Sequence, residues 1–287
     1  MCNELCINRF NISKTMKIQI KQIKDDLVQV TTVDERWYIK EEEEKIFYPS
    51  ATWVYSFYPK GVGYFKWLAS KGWDESQALM NEAGEKGSKV HKAIEDLNSG
   101  KEVKMDDKYY SESKEKDEEL SVEEWECIVS FRDWHNMVKP ENIVNEMVVI
   151  DEELGVAGTL DNLSLVRKDI KVGTVNIKRG FYLIDYKTSQ DIWPSHELQV
   201  SGYKHSISEE IKKAMFDMLS EEEKLDPEFK DIKMAILQVG YRKNKNKFKF
   251  TLVEDKYELC KSVKDIWANE CANVQPKQID YPLSIKL

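Results

Sequence analysis

An acidic and a basic side chain, those of Asp185 and Lys187, stand two positions apart at the end of the apolar run at residues 181–184. Alternate residues of a strand face the same side of a sheet, so both side chains are expected on one face. A carboxylate and an ammonium at the end of a buried strand are costly unless they pair or take part in chemistry. The triplet therefore predicts either half of a catalytic site or an ion pair that only stabilises the strand end.

A second carboxylate, that of Asp161, lies between apolar residues in the segment GVAGTLDNLSLV. If this segment is a strand that pairs beside the first one, Asp161 and Asp185 can together hold Mg²⁺ or Mn²⁺ through hard oxygen ligands. The dipeptide Asp161-Asn162 is also compatible with a turn, since both side chains readily form turn hydrogen bonds.

Two helical segments carry further polar groups. Gln199 and Tyr203 are four positions apart, and they share one face of a helix that follows Lys187. His91 lies in the segment GEKGSKVHKAIE, with Glu95 one helical turn later. The alternatives are ordinary polarity of a helix surface for Gln199 and Tyr203, and a structural role for His91.

Taken jointly and in this order, the four elements resemble the PD-(D/E)xK nuclease superfamily, in particular its RecB-like branch. The motifs of that branch are matched as follows: G..vH..iE by Gly87, Val90, His91, Ile94 and Glu95, G..D by Gly158 and Asp161, D.K by Asp185 and Lys187, and Q...Y by Gln199 and Tyr203. The upstream stretch YPSATWVYSFYPKGVGYFKWLASKG is similar to the lead-in of phage and mitochondrial-genome-maintenance exonucleases of this branch. The resemblance covers roughly residues 48 to 205.

The resemblance implies an α/β fold with a restriction-endonuclease-like core, in which a central mixed sheet is flanked by helices. It also implies cleavage of DNA phosphodiesters by water that a bound Mg²⁺ or Mn²⁺ activates. Asp161 and Asp185 would be metal ligands, with the backbone carbonyl of Tyr186 completing the set and His91 as an additional ligand. Glu146, on the strand before Asp161, is a further candidate for the metal shell.

The same resemblance implies roles for the remaining polar residues. Lys187 would orient the attacking hydroxide and stabilise the charge that develops on the phosphate. Gln199 and Tyr203 would position Lys187 or the DNA backbone.

Cysteine positions bear on a second cofactor. Many relatives in this branch hold an iron-sulfur cluster, with one cysteine before the histidine motif and a tight trio near the C-terminus. Cys260 and Cys271 are far apart with no third cysteine nearby, so we expect no iron-sulfur cluster. The chain has five scattered cysteines, and we expect them to be reduced thiols.

Composition limits the protein class. The 287 residues are 41% hydrophobic and 33% charged, with a formal net charge of -9, which indicates a globular protein and argues against a uniformly basic coat on nucleic acid. DNA would have to bind at a focused patch or through metal ions. The start of the chain has no apolar core of a secretory signal, and we expect a cytoplasmic protein of a bacterium or phage-infected cell, without membrane association.

Periodicity gives the expected order of elements. We expect strands or a small lobe over residues 1–47 and the nuclease domain over 48–287. The elements expected after residue 60 are helices over 61–73 and 74–100, a loop or mobile insertion at 101–120, a helix that starts with the capping box of Ser121 and Glu124 and ends at Pro140, three or four antiparallel strands from 143, a long helix over roughly 195–219, a basic β-hairpin over 234–253 and a closing helix.

The tip of the expected hairpin combines basic and aromatic residues. Its basic residues are Arg242, Lys243, Lys245, Lys247 and Lys249, and they alternate with Tyr241, Phe248 and Phe250. This mixture suits contact with a phosphate backbone and stacking on bases, although a solvated hairpin tip has the same composition.

The leading hypothesis is a metal-dependent DNA exonuclease that acts on DNA ends or single strands in phage or mobile-element replication, recombination or repair. Its partners would be DNA and proteins of replication or recombination. One alternative is a nucleic-acid-binding subunit that keeps the fold but no longer cuts. Another is a restriction or defence endonuclease, which shares the chemistry and differs in the geometry of its substrate.

Overall fold

The computed structural model describes residues 19–32, 35–111, 113–172, 175–271, 275–276 and 286. Cys2 and Cys6, and the first part of the segment expected to form an N-terminal lobe, lie outside these residues. None of the helices in the described ranges combines the length and the apolar composition that crossing a lipid bilayer requires.

The first described elements form an antiparallel sheet and three helices. The strands are β1 (Gln19–Lys24), β2 (Leu27–Thr31), β3 (Arg36–Glu41) and β4 (Lys45–Pro49), and they pair in that order. The helices that follow are α1 (Ala51–Tyr55), α2 (Val62–Lys71) and α3 (Trp73–Asn98). Trp37 of β3 contacts Trp53 of α1 edge-on at 5.6 Å between ring centroids, so the small sheet packs on the rest of the molecule. The helices expected on either side of Gly72 are confirmed.

Residues 101–120 differ from the expected mobile loop. They contain a hairpin of β5 (Lys108–Ser111) and β6 (Lys116–Glu119), in which Tyr109 and Ser111 point inward and are buried. Tyr109 packs with Ala93 and Ile128, which lie on the helices before and after the hairpin. The expectation was wrong because a mostly polar segment can still form a hairpin when alternate residues, here Tyr109 and Ser111, face inward.

The next elements form the central sheet and the connections within it. They are α4 (Val122–Val138), β7 (Glu141–Asp151), β8 (Val156–Val166), β9 (Ile170–Val172), β10 (Val175–Ile177) and β11 (Gly180–Lys187). Ser121 and Glu124 form the capping box that starts α4, as their spacing predicted. The β-rich region expected from residue 143 is confirmed, with five strands rather than three or four, because β9 and β10 add a short hairpin.

The long helix expected over 195–219 is two helices. The elements that follow β11 are α5 (Pro194–His205), α6 (Glu209–Asp217), α7 (Glu221–Leu225), a 3₁₀ turn (Pro227–Phe229), β12 (Ile232–Val239), β13 (Phe248–Val253) and α8 (Tyr257–Glu270). Ser206 donates to the carbonyl of Gly202 at the end of α5, and Ser208 caps the start of α6 by accepting from Ile211 N. Serine side chains at this junction satisfy backbone groups that a continuous helix would satisfy itself. The expected hairpin over 234–253 and the closing helix are present.

The central sheet has five strands in the order β13-β12-β11-β8-β7. Strands β11 and β12 are parallel, and the other neighbours are antiparallel, so the sheet is mixed. Phe181 and Leu183 of β11 pack into a core with residues of α1, α5 and α8 on one face. Tyr182 and Ile184 pack with residues of α3 and α4 on the other face. The expected mixed α/β architecture, a sheet between helical layers, is confirmed.

Candidate active site

The candidate site lies where the pairing between the central strands β8 and β11 ends. The last paired residues of β8 and β11 are Asn162 and Ile184, so Asp161 and Asp185 are neighbours one position further along. The backbone N–H of Tyr186 donates to Oδ2 of Asp161 at 2.7 Å, which fixes that carboxylate against β11. Both aspartates are almost completely buried. The predicted pairing of the two strands is thus present, and Asp161 does not lie in a turn.

Lys187 links the strand end to helix α5. Its Nζ lies 2.7 Å from Oδ2 and 2.9 Å from Oδ1 of Asp185, and it donates to Oε1 of Gln199 at 3.3 Å. Nε2 of Gln199 in turn donates to the hydroxyl of Tyr203 at 2.9 Å and to Oγ1 of Thr52 at 3.3 Å. The ammonium therefore has a fixed direction. It is held by the carboxylate of Asp185 and by the amide of Gln199, and the amide is itself hydrogen-bonded to Tyr203 and Thr52.

Two glycines allow α5 to pack closely, one against the sheet and one against α1. A Cβ on Gly158 of β8 would lie 2.4 Å from Cε1 of Tyr203. A Cβ on Gly202 of α5 would lie 2.3 Å from the hydroxyl oxygen of Tyr55. Real carbon atoms do not approach so closely, so only glycine permits this packing at both positions. The short distance between α5 and β8 brings Gln199 within reach of Lys187.

His91 of α3 reaches the same part of the sheet from the other helical layer. Its Nε2 donates to the carbonyl oxygen of Tyr186 at 2.8 Å, and its Nδ1 lies 3.4 Å from Oδ1 of Asp161 and 3.9 Å from Oε1 of Glu146. Within the described part of the chain, His91, Glu146 and Asp161 form a group whose ligand atoms all lie within 4.8 Å of one another. Asp185 is not part of this group, and its carboxylate contacts Lys187.

Glu146 has an unusual backbone for a strand residue. Its φ is +48°, and it stands between the paired positions Asn145–Asn162 and Met147–Leu160, opposite Asp161. Left-handed φ values are disfavoured for residues with a side chain, and they cluster at functional sites. Two carboxylates placed directly opposite each other also repel. The chain therefore keeps a strained and repulsive pair at this point.

Burial and neighbouring charges shift the pKa values of these groups. Burial, then the charge of Asp161, raises the pKa of Glu146 to about 7. Burial also raises the pKa of Asp185 to about 6, against the opposing effect of Lys187. Burial disfavours a charged His91, but Asp161 and Glu146 outweigh it and raise the pKa of the imidazole to about 9. Burial alone would raise the pKa of Asp161, but the interaction with His91 outweighs it, and the pKa of Asp161 is lowered.

The case for a bound cation rests on the side chains themselves. No family model and no curated protein sequence matches this chain. Glu146, Asp161 and Asp185 supply carboxylate oxygens and His91 an imidazole nitrogen, a set that suits Mg²⁺ or Mn²⁺. Oδ2 of Asp185 is buried without a well-directed hydrogen-bond donor among the described residues, although Lys187 is near. Closely spaced carboxylates, two of which are buried, fit a divalent cation.

Several expected site residues lie away from this group or have other partners. Glu95 of the histidine motif contacts Lys92 at 2.6 Å. In the hairpin tip, Arg242 pairs with Glu123 at 2.9 Å and Lys243 pairs with Asp191 at 3.1 Å. The other basic residues of the tip are Lys245, Lys247 and Lys249, and Lys249 lies over the ring of Tyr241. The tip is thus basic, but part of its charge is already paired.

Some residues of the site were not singled out from the sequence. Thr52 contacts Gln199, and its only sequence signal is a hydroxyl within an aromatic stretch. Four asparagines, Asn98, Asn142, Asn145 and Asn162, form hydrogen bonds with one another beside Glu146 and Asp161. Nothing in the spacing of these asparagines marks them as one group, because they come from three separate elements.

Proposed function

We propose that this chain is a metal-dependent deoxyribonuclease with the restriction-endonuclease-like core of the PD-(D/E)xK superfamily, RecB-like branch. One observation carries the proposal: Asp161, Asp185 and Lys187 meet where the pairing of β8 with β11 ends, and Lys187 contacts both Asp185 and Gln199. The order of these residues along the chain agrees with the motif order of that superfamily. The site of action would be the cytoplasm, where its DNA would be located.

The residues that would hold the cation are His91, Glu146, Asp161 and Asp185, together with the carbonyl oxygen of Tyr186. A bound Mg²⁺ or Mn²⁺ supplies neutralisation of the scissile phosphate and a lower pKa for a water molecule beside it. Asp161 is already oriented by the backbone N–H of Tyr186, at 2.7 Å. Its carboxylate therefore needs little rearrangement to act as a ligand.

Lys187 is suited to act directly on the reacting phosphate. Its ammonium is held by Asp185 and Gln199, and the charge of Asp185 helps to raise its pKa in spite of burial. A positively charged group that is fixed before the reaction stabilises negative charge as it develops on the phosphate oxygens. Gln199 fixes the direction of Lys187 and is itself held by Tyr203.

An exposed surface near Lys187 supports DNA ends or single strands as substrates. Helix α2 has no buried residue; Phe65 within it is 57% exposed, and Trp73 at the start of α3 is 66% exposed. Lys60 precedes this helix. The pKa of His196 is lowered mainly by burial, and the positive charges of Lys187 and Lys60 lower it further. Lys60 and Lys187 thus both lie near His196. Exposed aromatic rings beside lysines suit the stacking of unpaired bases.

The basic hairpin tip is a second surface for the DNA backbone. Gln190, three residues after Lys187, donates from Nε2 to the carbonyl of Gly240 at 3.0 Å and accepts from the N–H of Arg242 at 2.8 Å. These two bonds tie the tip to the loop that follows the catalytic strand. Lys245 and Lys247 at this tip would then contact phosphates near the cleavage position.

The test is cleavage of 5′- and 3′-labelled linear single- and double-stranded DNA and of circular DNA with Mg²⁺, Mn²⁺ or EDTA. We expect metal-dependent degradation by the wild type, with the label pattern giving the polarity. Asp185→Ala and Lys187→Ala should abolish cleavage, and Gln199→Ala should reduce the rate about 10–100-fold, because it acts through Lys187. Phe65→Ala should raise KM for single strands and leave kcat unchanged.

Each other outcome has a definite meaning. DNA binding without cleavage under any metal would contradict the proposal and favour a binding subunit that no longer cuts. Cleavage of closed circular single-stranded DNA would favour a restriction or defence endonuclease over an exonuclease. Undiminished turnover of Lys187→Ala would remove that residue from the catalytic set.

A further inference from the structure

Four asparagine side chains form a connected group beneath the candidate site. Asn98 lies at the end of α3, Asn142 and Asn145 lie on β7, and Asn162 lies on β8. We call them the asparagine cluster. Asn162 follows Asp161 directly along β8, and it pairs with Ile184 of β11, which packs with residues of α3 and α4. The cluster therefore lies on the face of the sheet that carries α3, adjacent to the candidate site in sequence and in space.

The hydrogen bonds of the cluster converge on strand β7. Nδ2 of Asn162 lies 2.8 Å from Oδ1 of Asn145, 3.1 Å from Oδ1 of Asn142 and 3.3 Å from the carbonyl oxygen of Val144. Nδ2 of Asn98 donates to Oδ1 of Asn145 at 3.0 Å, and Nδ2 of Asn142 donates to Oδ1 of Asn98 at 3.1 Å. Asn162 is completely buried, so its amide depends on these partners.

The segment that the cluster holds is irregular. The register of β7 against β8 shifts between Asn142 and Val144, and Glu146 has its left-handed backbone a few residues later. Asn142 and Asn145 lie on either side of the register shift, and Asn145 immediately precedes Glu146. A strained backbone persists only when the surrounding contacts hold it in place. Side-chain amides supply such contacts here, including one to the carbonyl of Val144.

The same cluster fixes the helix that carries His91. Asn98 is seven positions after His91 on α3, which is about two helical turns. Besides its contacts with β7, Asn98 donates to the hydroxyl of Tyr186 at 3.3 Å. One amide group thus contacts both β7 and β11. The cluster joins the three elements that bring His91, Glu146 and the Tyr186 carbonyl to one place.

We propose that the asparagine cluster consists of positioning residues for the cation, which hold Glu146 opposite Asp161 and keep His91 beside them. This inference rests on the proposed metal site. A network that served stability alone would lower the free energy of unfolding when it is cut, but it would leave the affinity for the cation unchanged. The two roles are therefore separated by measuring cation binding and stability in the same variants.

The experiment is a titration of the full chain with Mn²⁺, in which free Mn²⁺ is followed by electron paramagnetic resonance in the absence of DNA. The specific binding component is the one that Asp161→Asn removes. We expect Asn145→Ala and Asn98→Ala to raise the Kd of this component at least about tenfold, the usual effect of losing a group that orients metal ligands. The matched control is Asn269→Ala on α8, whose side-chain amide donates to the backbone carbonyl of Asp265 in the same helix.

Urea unfolding of each variant shows whether it is folded during the titration, and Asn98→Ala, at the end of a helix, carries the test if Asn145→Ala does not fold. An unchanged Kd in folded variants, or the absence of a component that Asp161→Asn removes, would overturn the inference. DNA cleavage by the wild type together with an unchanged Kd in the variants would leave the proposed nuclease standing. Cluster-dependent Mn²⁺ binding without cleavage would instead support the cluster and contradict the nuclease.

Discussion

Glu146 combines a left-handed backbone with a half-buried carboxylate that faces a second carboxylate, Asp161, across two strands. Each feature costs stability, and neither is needed to build a strand. The combination has a physical reason if a cation binds between the two groups, because attraction to the cation then offsets the repulsion. At the scale of residues, the candidate site therefore contains backbone strain at Glu146 and repulsion between two carboxylates.

The strain at Glu146 has a measurable consequence. A residue with a Cβ loses about 1–2 kcal/mol in the left-handed region, whereas glycine does not. We expect Glu146→Gly to have a free energy of unfolding about 1 kcal/mol higher than Glu146→Ala, as measured by urea denaturation without metal. Both variants lack the carboxylate, so the comparison isolates the backbone.

Lys249, exposed on β13, is the matched control for this comparison. At this strand position the order should be reversed, with glycine less stable than alanine by about 0.5–1 kcal/mol. An alanine variant at position 146 that is at least as stable as the glycine variant would contradict the inferred strain.

Residue types at the site were predictable, and their conformations were not. Asp185 and Lys187 follow an apolar run, so strand alternation alone places them on one face. Glu146 shows why the rest was missed: its conformation depends on a register shift between β7 and β8, which is a property of two paired strands. Thr52 was missed for the same reason, since its partner Gln199 is distant in sequence.

At the scale of elements, the position of α5 against β8 controls the distance from Gln199 to Lys187. This position depends on Gly158, which leaves room for the ring of Tyr203. Tyr203 is buried and also accepts a hydrogen bond from Gln199. A change that pushes α5 away from the sheet would therefore alter both packing and the direction of Lys187.

We expect Gly158→Ala to lower the free energy of unfolding by about 1–3 kcal/mol, because the new methyl group would overlap the ring of Tyr203. The DNA cleavage rate should also fall. Replacing Tyr203 by leucine in the same chain should recover part of the stability, and thermal denaturation of the single and double variants measures this coupling.

Gly84→Ala is a suitable control, since Gly84 lies inside α3 and a Cβ there meets no atom within 4 Å. This variant should be more stable than the wild type by about 1 kcal/mol. Equal effects of the two substitutions on stability would show that the contact between Gly158 and Tyr203 does not determine the packing of α5.

Local patterns predicted the elements whose signals lie within one stretch of sequence. Ser121 and Glu124 marked the start of α4, and Gly72 marked the end of α2. The hairpin at 108–119 was missed because only Tyr109 among its inward residues is strongly apolar. The break after α5 was missed because serines such as Ser206 and Ser208 occur both inside helices and at their ends.

At the scale of the whole molecule, the sheet separates two helical layers, and the candidate site lies where both layers reach the end of β11 and the adjacent part of β8. His91 comes from the layer of α3, and Gln199 comes from the layer of α5. The net charge of -9 does not favour DNA in general, so a local cation and the lysines at 187 and in the hairpin tip would have to attract it.

Cation binding should therefore stabilise the whole fold. Saturation at one hundred times the Kd adds about 2.7 kcal/mol to the free energy of unfolding of a protein that binds only in its folded state. We expect Mn²⁺ to raise the Tm of the wild type, EDTA to reverse the rise, and Asp161→Asn to remove it. Asp217→Asn, an exposed acid on α6, is the control and should keep the full shift. An equal shift in wild type and Asp161→Asn would mean that Mn²⁺ binds elsewhere.

The measurement that tests the central claim most directly is the initial rate of cleavage of a labelled single-stranded oligonucleotide in Mn²⁺, for wild type and for Asp185→Asn. The substitution keeps the size of the side chain, and circular dichroism checks that the variant is folded. We expect cleavage by the wild type that EDTA stops and a loss of at least about a thousandfold in the variant, since it lacks a metal ligand and the partner of Lys187. Equal rates for the two proteins, or no cleavage by either, would contradict the proposed function.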